Sequence, residues 1–151
     1  MQKFHFALES VLKLRETQLE LQQAALQNLY AELQTLDKEQ TELGLEKSHA
    51  DSAVKTQSSN MALSLFALDT FNRHVDRLQS ALESRKVDCL GRLAVQRERT
   101  IVARREHELL VRLKENNHRE WQRSFDREQE QVASELYLAK WAQEQHVTSN
   151  G

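Results

Sequence analysis

The sequence contains no proline, and only three of its 151 residues are glycine. A chain of this length with average usage carries roughly seven prolines. Sharp turns are therefore scarce, and little in the chain interrupts a helix. Aromatic residues make up 6% and mean hydropathy is -0.71, which excludes a thick globular core. Cys89 is the single cysteine, so no intramolecular disulfide can form, which fits a reducing cytosol. A lone thiol near an apolar helix stripe packs as a small hydrophobe. Long hydrophobic runs are missing too. The longest mostly apolar run, Met61 to Leu68, falls far short of the ~20 residues of a membrane span. The opening residues Met1 to Phe6 lack the apolar core of a signal peptide. No direct membrane insertion is expected, and the net charge of -2 gives no general attraction to nucleic acid or anionic lipid.

What is present is a long stripe. From Leu8, strides of four and three lead through Leu12, Arg15, Leu19, Gln22, Leu26, Leu29, Leu33, Leu36, Gln40, Leu43, Lys47 and Ala50 to Val54. Most of these positions are apolar, and leucine dominates. A 3.5-residue stride is the seam of a coiled coil. The other faces are Gln, Glu, Lys and Thr, so this helix needs one partner along one line.

The expected fold is therefore all-α: one domain, 1–151, a long antiparallel two-helix coiled-coil hairpin with an overhanging C-terminal helix end. Helix one covers about 5–55, the turn about 56–60 and helix two about 61–145. Phe4 and Phe6, two apart, fall on opposite sides of a helix, so one starts the helix while the other docks elsewhere. The turn is placed at Thr56-Gln57-Ser58-Ser59-Asn60, the one interior cluster of capping residues. Helix two carries Leu68, Phe71, Val75, Leu78, Leu82, Cys89 and Leu93. Its stride then slips and resumes at Leu110 and Leu113, followed by Trp121, Phe125, Val132, Leu136 and Ala139. Residues 146–151 are expected to fray.

Antiparallel pairing about Ser58-Ser59 sets partners whose numbers sum to about 118. Leu43 then faces Val75, Leu36 faces Leu82 and Leu8 faces Leu110. Beyond about Lys114 helix two has no partner, yet Trp121, Phe125, Val132, Leu136, Tyr137 and Trp141 lie there. Burying such rings contributes far more than leaving them in water, so this end is expected to pair with another protein or with a second copy.

Charge is uneven. Residues 85–119 hold ten Lys/Arg against five Asp/Glu, residues 1–57 hold six against nine, and residues 120–145 hold three against six. The basic stretch, with Arg97, Arg99, Arg104 and Arg105, has three readings. It neutralises the acidic first helix, meets an acidic protein, or binds nucleic acid. The apolar run Met61 to Leu68 has two: it folds over to close the turn, or it stands as an exposed tip for a partner. Glu46-x-x-His49 and Glu115-x-x-His118 match the carboxylate–histidine spacing of di-iron bundles. In the hairpin register, however, the two histidines stand ~70 Å apart. No catalytic residue, metal site or cofactor is expected, and no enzyme.

Phe4-x-Phe6-x-Leu8-x-x-Val11-Leu12-x-Leu14-Arg15 resembles the opening signature of the FliJ family of flagellar export proteins. Phe71-x-x-x-Val75-x-x-Leu78 is similar to the start of that family's second helix. Ala103-x-x-Glu106-x-x-Leu109, continuing to Leu113-Lys114, resembles its mid-helix pattern, and Arg127-Glu128-Gln129 resembles the Glu-Gln near its end. The chain departs from the family at Glu46 and Ala50, where aromatic residues often stand, and at Ser134-Glu135, where the family has Asp-Glu. The resemblance implies a stalk or escort component of the bacterial flagellar type III export apparatus. Such a protein is cytoplasmic and peripherally associated with the membrane at the flagellar base.

The implied partners are the flagellar export ATPase hexamer, the cytoplasmic domain of an export-gate membrane protein, and export chaperones. The ATPase end carries Phe4, Phe6, Leu8, Val11, Leu12, Arg15, Trp121 and Phe125. The gate end carries Leu43, Phe66, Phe71, Val75, Leu78 and Leu82. Two other readings stay open: an injectisome stalk protein, and a self-associating coiled-coil scaffold without an ATPase partner. The hairpin itself has a direct check. Spin labels at Leu8 and Leu110 are expected to lie close together in one molecule, and a long separation in double electron–electron resonance excludes it.

Overall fold

The computed structural model describes residues 2–56, 61–149 and 151. Two helices pack against each other, α1 (Glu9–Thr56) and α2 (Met61–Ser149), and no strand occurs among the described residues. The fold is the expected all-α helical hairpin. Of the expected turn, Thr56 is the last residue of α1, and residues 57–60 lie outside the described residues. The helical seam forms because neither chain segment holds a proline to break it. Along α1 every stripe position from Leu12 to Val54 is buried or half-buried, and Leu8 alone, just before the helix, is exposed.

Helix α1 starts at Glu9, later than the sequence suggests. Residues 2–6 are not helical. The entry is set by the Glu9 amide donating to the Phe6 carbonyl (3.2 Å) and by Leu12 donating to Leu8 (2.9 Å). Glu9 also suits the positive end of the helix dipole. At the other terminus α2 continues to Ser149 rather than fraying from 146. Residues 146–149 include no helix breaker, and the Thr148 hydroxyl donates back to the carbonyls of Glu144 and Gln145.

The chain divides into two compact units: residues 17–104, and residues 1–16 together with 105–151. In the first, Leu36, Leu82 and Cys89 form a buried cluster with Leu33 and Leu43 packed against it. Val75 and Leu93 are buried as well. Ion pairs flank this apolar line: Lys47–Asp76 (3.1 Å), Lys86–Asp37 (2.6 Å) and Arg92–Glu32 (2.7 Å). In the second unit Arg15 meets Glu106 (2.6 Å) and Lys114 meets Glu9 (2.8 Å). The expected register holds for Cys89 with Leu29 and for Gln96 with Gln22. The ion pairs fall a few residues further on, because long charged side chains reach past the seam to their partners.

The stride of α2 does not slip after Leu93. The buried line runs on through Gln96, Thr100 and Ala103 to half-buried His107 and Leu110. Val75, Leu82, Cys89, Gln96, Ala103 and Leu110 are each seven apart. Polar residues at two seam positions concealed the repeat. They are satisfied within the seam. The Gln96 amide donates to the Gln22 side-chain oxygen (2.6 Å) and to the Gln22 carbonyl (3.1 Å). The Thr100 hydroxyl donates to the Gln96 carbonyl (2.9 Å) and lies 3.4 Å from that of Gln22. A paired polar layer in an apolar seam fixes register, because a shifted pairing buries these groups without partners.

Replacing one member, Gln96→Leu, is expected to strand Gln22 and cost about 1–3 kcal/mol in urea unfolding. The double replacement Gln22→Leu/Gln96→Leu is expected to recover most of that loss. Equal losses in the single and double variants refute the layer.

Candidate functional site

In the unit made of residues 1–16 and 105–151, aromatic rings gather where the N-terminal segment meets α2. The Phe4 ring stands edge-on to His118 at 4.9 Å between centroids and lies 6.0 Å from Trp121. Trp121 stacks on Phe125 at 5.5 Å, and its indole N–H donates to the Gln2 carbonyl at 3.2 Å. Spacing along α2 explains the gathering. His118, Trp121 and Phe125 fall at i, i+3 and i+7, one face of a helix. Phe6 is buried, Leu12 is buried, Val11 is half-buried, and Arg15 is engaged by Glu106.

This placement changes two expectations. Both Phe4 and Phe6 dock, because the segment carrying them is not helical. Trp121 is half-buried against Phe4 and the Gln2 carbonyl, and Phe125 is half-buried against Trp121, so neither belongs to the fully exposed end. The unpaired end begins at Asp126. Every residue from there to Ser149 is exposed, including Val132, Leu136, Tyr137, Leu138 and Trp141. Val132, Leu136 and Ala139 continue the Phe125 face, while Tyr137 and Trp141 lie on the far side of the helix. A helix apolar on two sides is not satisfied by a single seam.

In the unit of residues 17–104, Val75 and Leu82 are buried in the seam, and Leu43 and Phe71 are half-buried. Leu78 is exposed at its edge, and Phe66 is 74% exposed beside Leu63 and Leu65. The exposure of Leu63, Leu65 and Phe66 matches the open-tip reading of this stretch. Leu43, Leu78, Ala81 and Leu82 form the floor of a groove between the helices. Glu39, Glu42 and Glu46 stand along its α1 side, and Arg85 along its α2 side. These three glutamates follow an i, i+3, i+7 pattern that the sequence displays but that was legible only once the facing helix was in place.

The basic stretch is partly accounted for inside the hairpin. Arg92 forks onto Glu32 (2.7 and 3.3 Å), and Glu32, through that hydrogen bond and its charge, holds the Arg92 guanidinium above its usual pKa. Arg97 donates to the Tyr30 hydroxyl (2.7 and 2.9 Å) and lies over its ring. The buried Cys89 thiol faces the Leu29 carbonyl at 3.6 Å, a structural position for a free cysteine. Among the described residues, no His, Cys, Asp and Glu side chains gather in threes as metal ligands. Within those residues, no helix is long and apolar enough to cross a membrane.

The seam, the aromatic cluster and the exposed helix end belong to one class of fold, an all-α helical hairpin. No family model, curated protein or solved structure matches the chain.

Phe4→Ala removes one ring from the cluster and is expected to destabilise the chain by about 1–3 kcal/mol, with a red shift in Trp121 emission. Trp141→Ala is expected to leave stability within about 0.5 kcal/mol. A reversal of these two effects in urea unfolding, followed by fluorescence and circular dichroism, contradicts the assignment of covered and open rings.

Proposed function

We propose that this chain is a stalk and escort component of the bacterial flagellar type III export apparatus. In this reading it binds the export ATPase ring, links it to the export gate, and handles export chaperones. It works in the cytoplasm, at the membrane periphery beneath the flagellum. The observation that carries the reading is the bare end of α2. From Asp126 to Ser149 a helix with Val132, Leu136, Tyr137, Leu138 and Trp141 stands without cover from any described residue. A helix apolar on opposite sides fits a recess with more than one wall, such as the opening of a ring. Support also comes from the N-terminal Phe4-x-Phe6-x-Leu8 pattern and from the hairpin fold that its resemblance implied.

The chain would act on such a ring without chemistry of its own. Contacts that differ among subunits favour one conformation over another by their difference in binding energy. Phe4, Phe6, Leu12, Trp121 and Phe125 shape and brace the ATPase-facing end, and the open Val132–Trp141 stretch supplies contact. Leu63, Leu65 and Phe66 offer a second, separate apolar group for the gate.

One observation also favours a self-associating scaffold: the same bare helix end can meet a second copy of itself. Its acidic balance, three basic residues against six over 120–145, opposes that pairing.

With purified export ATPase, the chain is expected to stimulate hydrolysis, and Leu136→Ser/Trp141→Ser is expected to abolish the stimulation. Deleting residues 61–68 is expected to spare stimulation and stop export. No stimulation at saturating chain, together with stable oligomers in analytical ultracentrifugation, replaces the stalk by the scaffold.

A further inference from the structure

We propose that the groove flanked by Glu39, Glu42 and Glu46 is a docking site for a cationic amphipathic helix of a partner protein. The inference rests on the reading of Leu43 and Leu78 as partner-facing, with Leu82 buried beneath them, and adds the partner's chemistry. It does not require the partner to be an export gate.

Charge is the first argument. Three ion pairs cross the seam elsewhere in this unit, Lys47–Asp76, Lys86–Asp37 and Arg92–Glu32. Among the described residues none of the charged groove residues joins such a pair. Glu42 reaches only Lys38, at 4.0 Å, and no ion pair within 4.0 Å involves Glu39, Glu46 or Arg85 among the described residues. Three carboxylates on one face of α1 therefore oppose a single guanidinium. Their mutual repulsion is relieved when a partner brings positive charge.

Shape and polarity give the second. The floor is apolar, and Leu78 is open to solvent at its edge. A third helix laid along a two-helix seam sets its apolar stripe into such a floor and its flanking side chains against the walls. Lysines or arginines beside that stripe reach the glutamates with their aliphatic stems still in apolar contact.

Other occupants fit less well. The exposed end of α2 in a second copy carries surplus acid and would meet like charge. Nucleic acid and anionic lipid are repelled by the same wall. Glu39 and Glu46, seven residues apart, stand ~10 Å apart along the axis, too far to converge on one cation.

The test uses the full-length chain and a labelled, designed ~20-residue helix with leucines on one face and lysines beside them, followed by fluorescence anisotropy. Binding is expected, and it is expected to weaken as salt rises. Glu39→Gln/Glu42→Gln/Glu46→Gln is expected to weaken it about tenfold, with helicity by circular dichroism unchanged. Leu78→Ala is expected to weaken it at low and high salt alike. A version of the peptide with glutamate in place of lysine is expected not to bind. The inference is overturned by no binding, by unchanged affinity of the triple variant, or by equal binding of the acidic peptide. The export reading fails separately: charge-dependent peptide binding with no effect of the chain on export removes that reading and leaves the groove.

Discussion

The structure depends on one line of contact, the seam along which α1 and α2 bury their seven-residue repeats. Neither helix has an apolar surface wide enough to form a core alone. Each is stable because the other removes its stripe from water. Leu36, Leu82 and Cys89 lie at the buried centre of that line, with Val75 and Leu93 on the same stripe. Hydrophobic contact of this kind is strong but carries little positional information, since leucine packs on leucine in many registers.

Position comes from the polar members. Gln22, Gln96 and Thr100 satisfy one another only in the observed alignment. The flanking ion pairs, Lys86–Asp37 and Arg92–Glu32 among them, add smaller preferences at partly exposed sites. The same logic identifies what is unfinished. At three places along residues 17–104 opposite charges meet across the seam. Where Glu39, Glu42 and Glu46 line a groove with one guanidinium, Arg85, on its other side, or where α2 runs bare beyond Phe125, the chain leaves surface of defined chemistry open.

The N-terminal aromatics show how a helix can be started without a capping side chain. Leu8, which has no capping side chain, immediately precedes Glu9. Packing of Phe4 on His118 and Trp121, with burial of Phe6, fixes the direction of entry instead. Trp121 thereby becomes part of the fold, and the fully exposed length of α2 begins beyond Phe125.

The two helices, their antiparallel pairing and the stripe of α1 were legible in the sequence, because a 3.5-residue repeat of leucine has one physical meaning in water. The absence of proline foretold helices this long. The continuity of the α2 stripe was not legible. Gln96 and Thr100 look like a break until Gln22 is seen to accept from both. The cover over Trp121 was hidden as well, since a two-residue spacing of phenylalanines does not say whether the segment is helical. Sequence alone determined the buried stripe of α1 from Leu12 to Val54, because periodicity is a property of one chain segment. Which polar groups are paired, which rings are covered and which glutamates lack a countercharge depends on the facing segment, and only the tertiary structure supplies that.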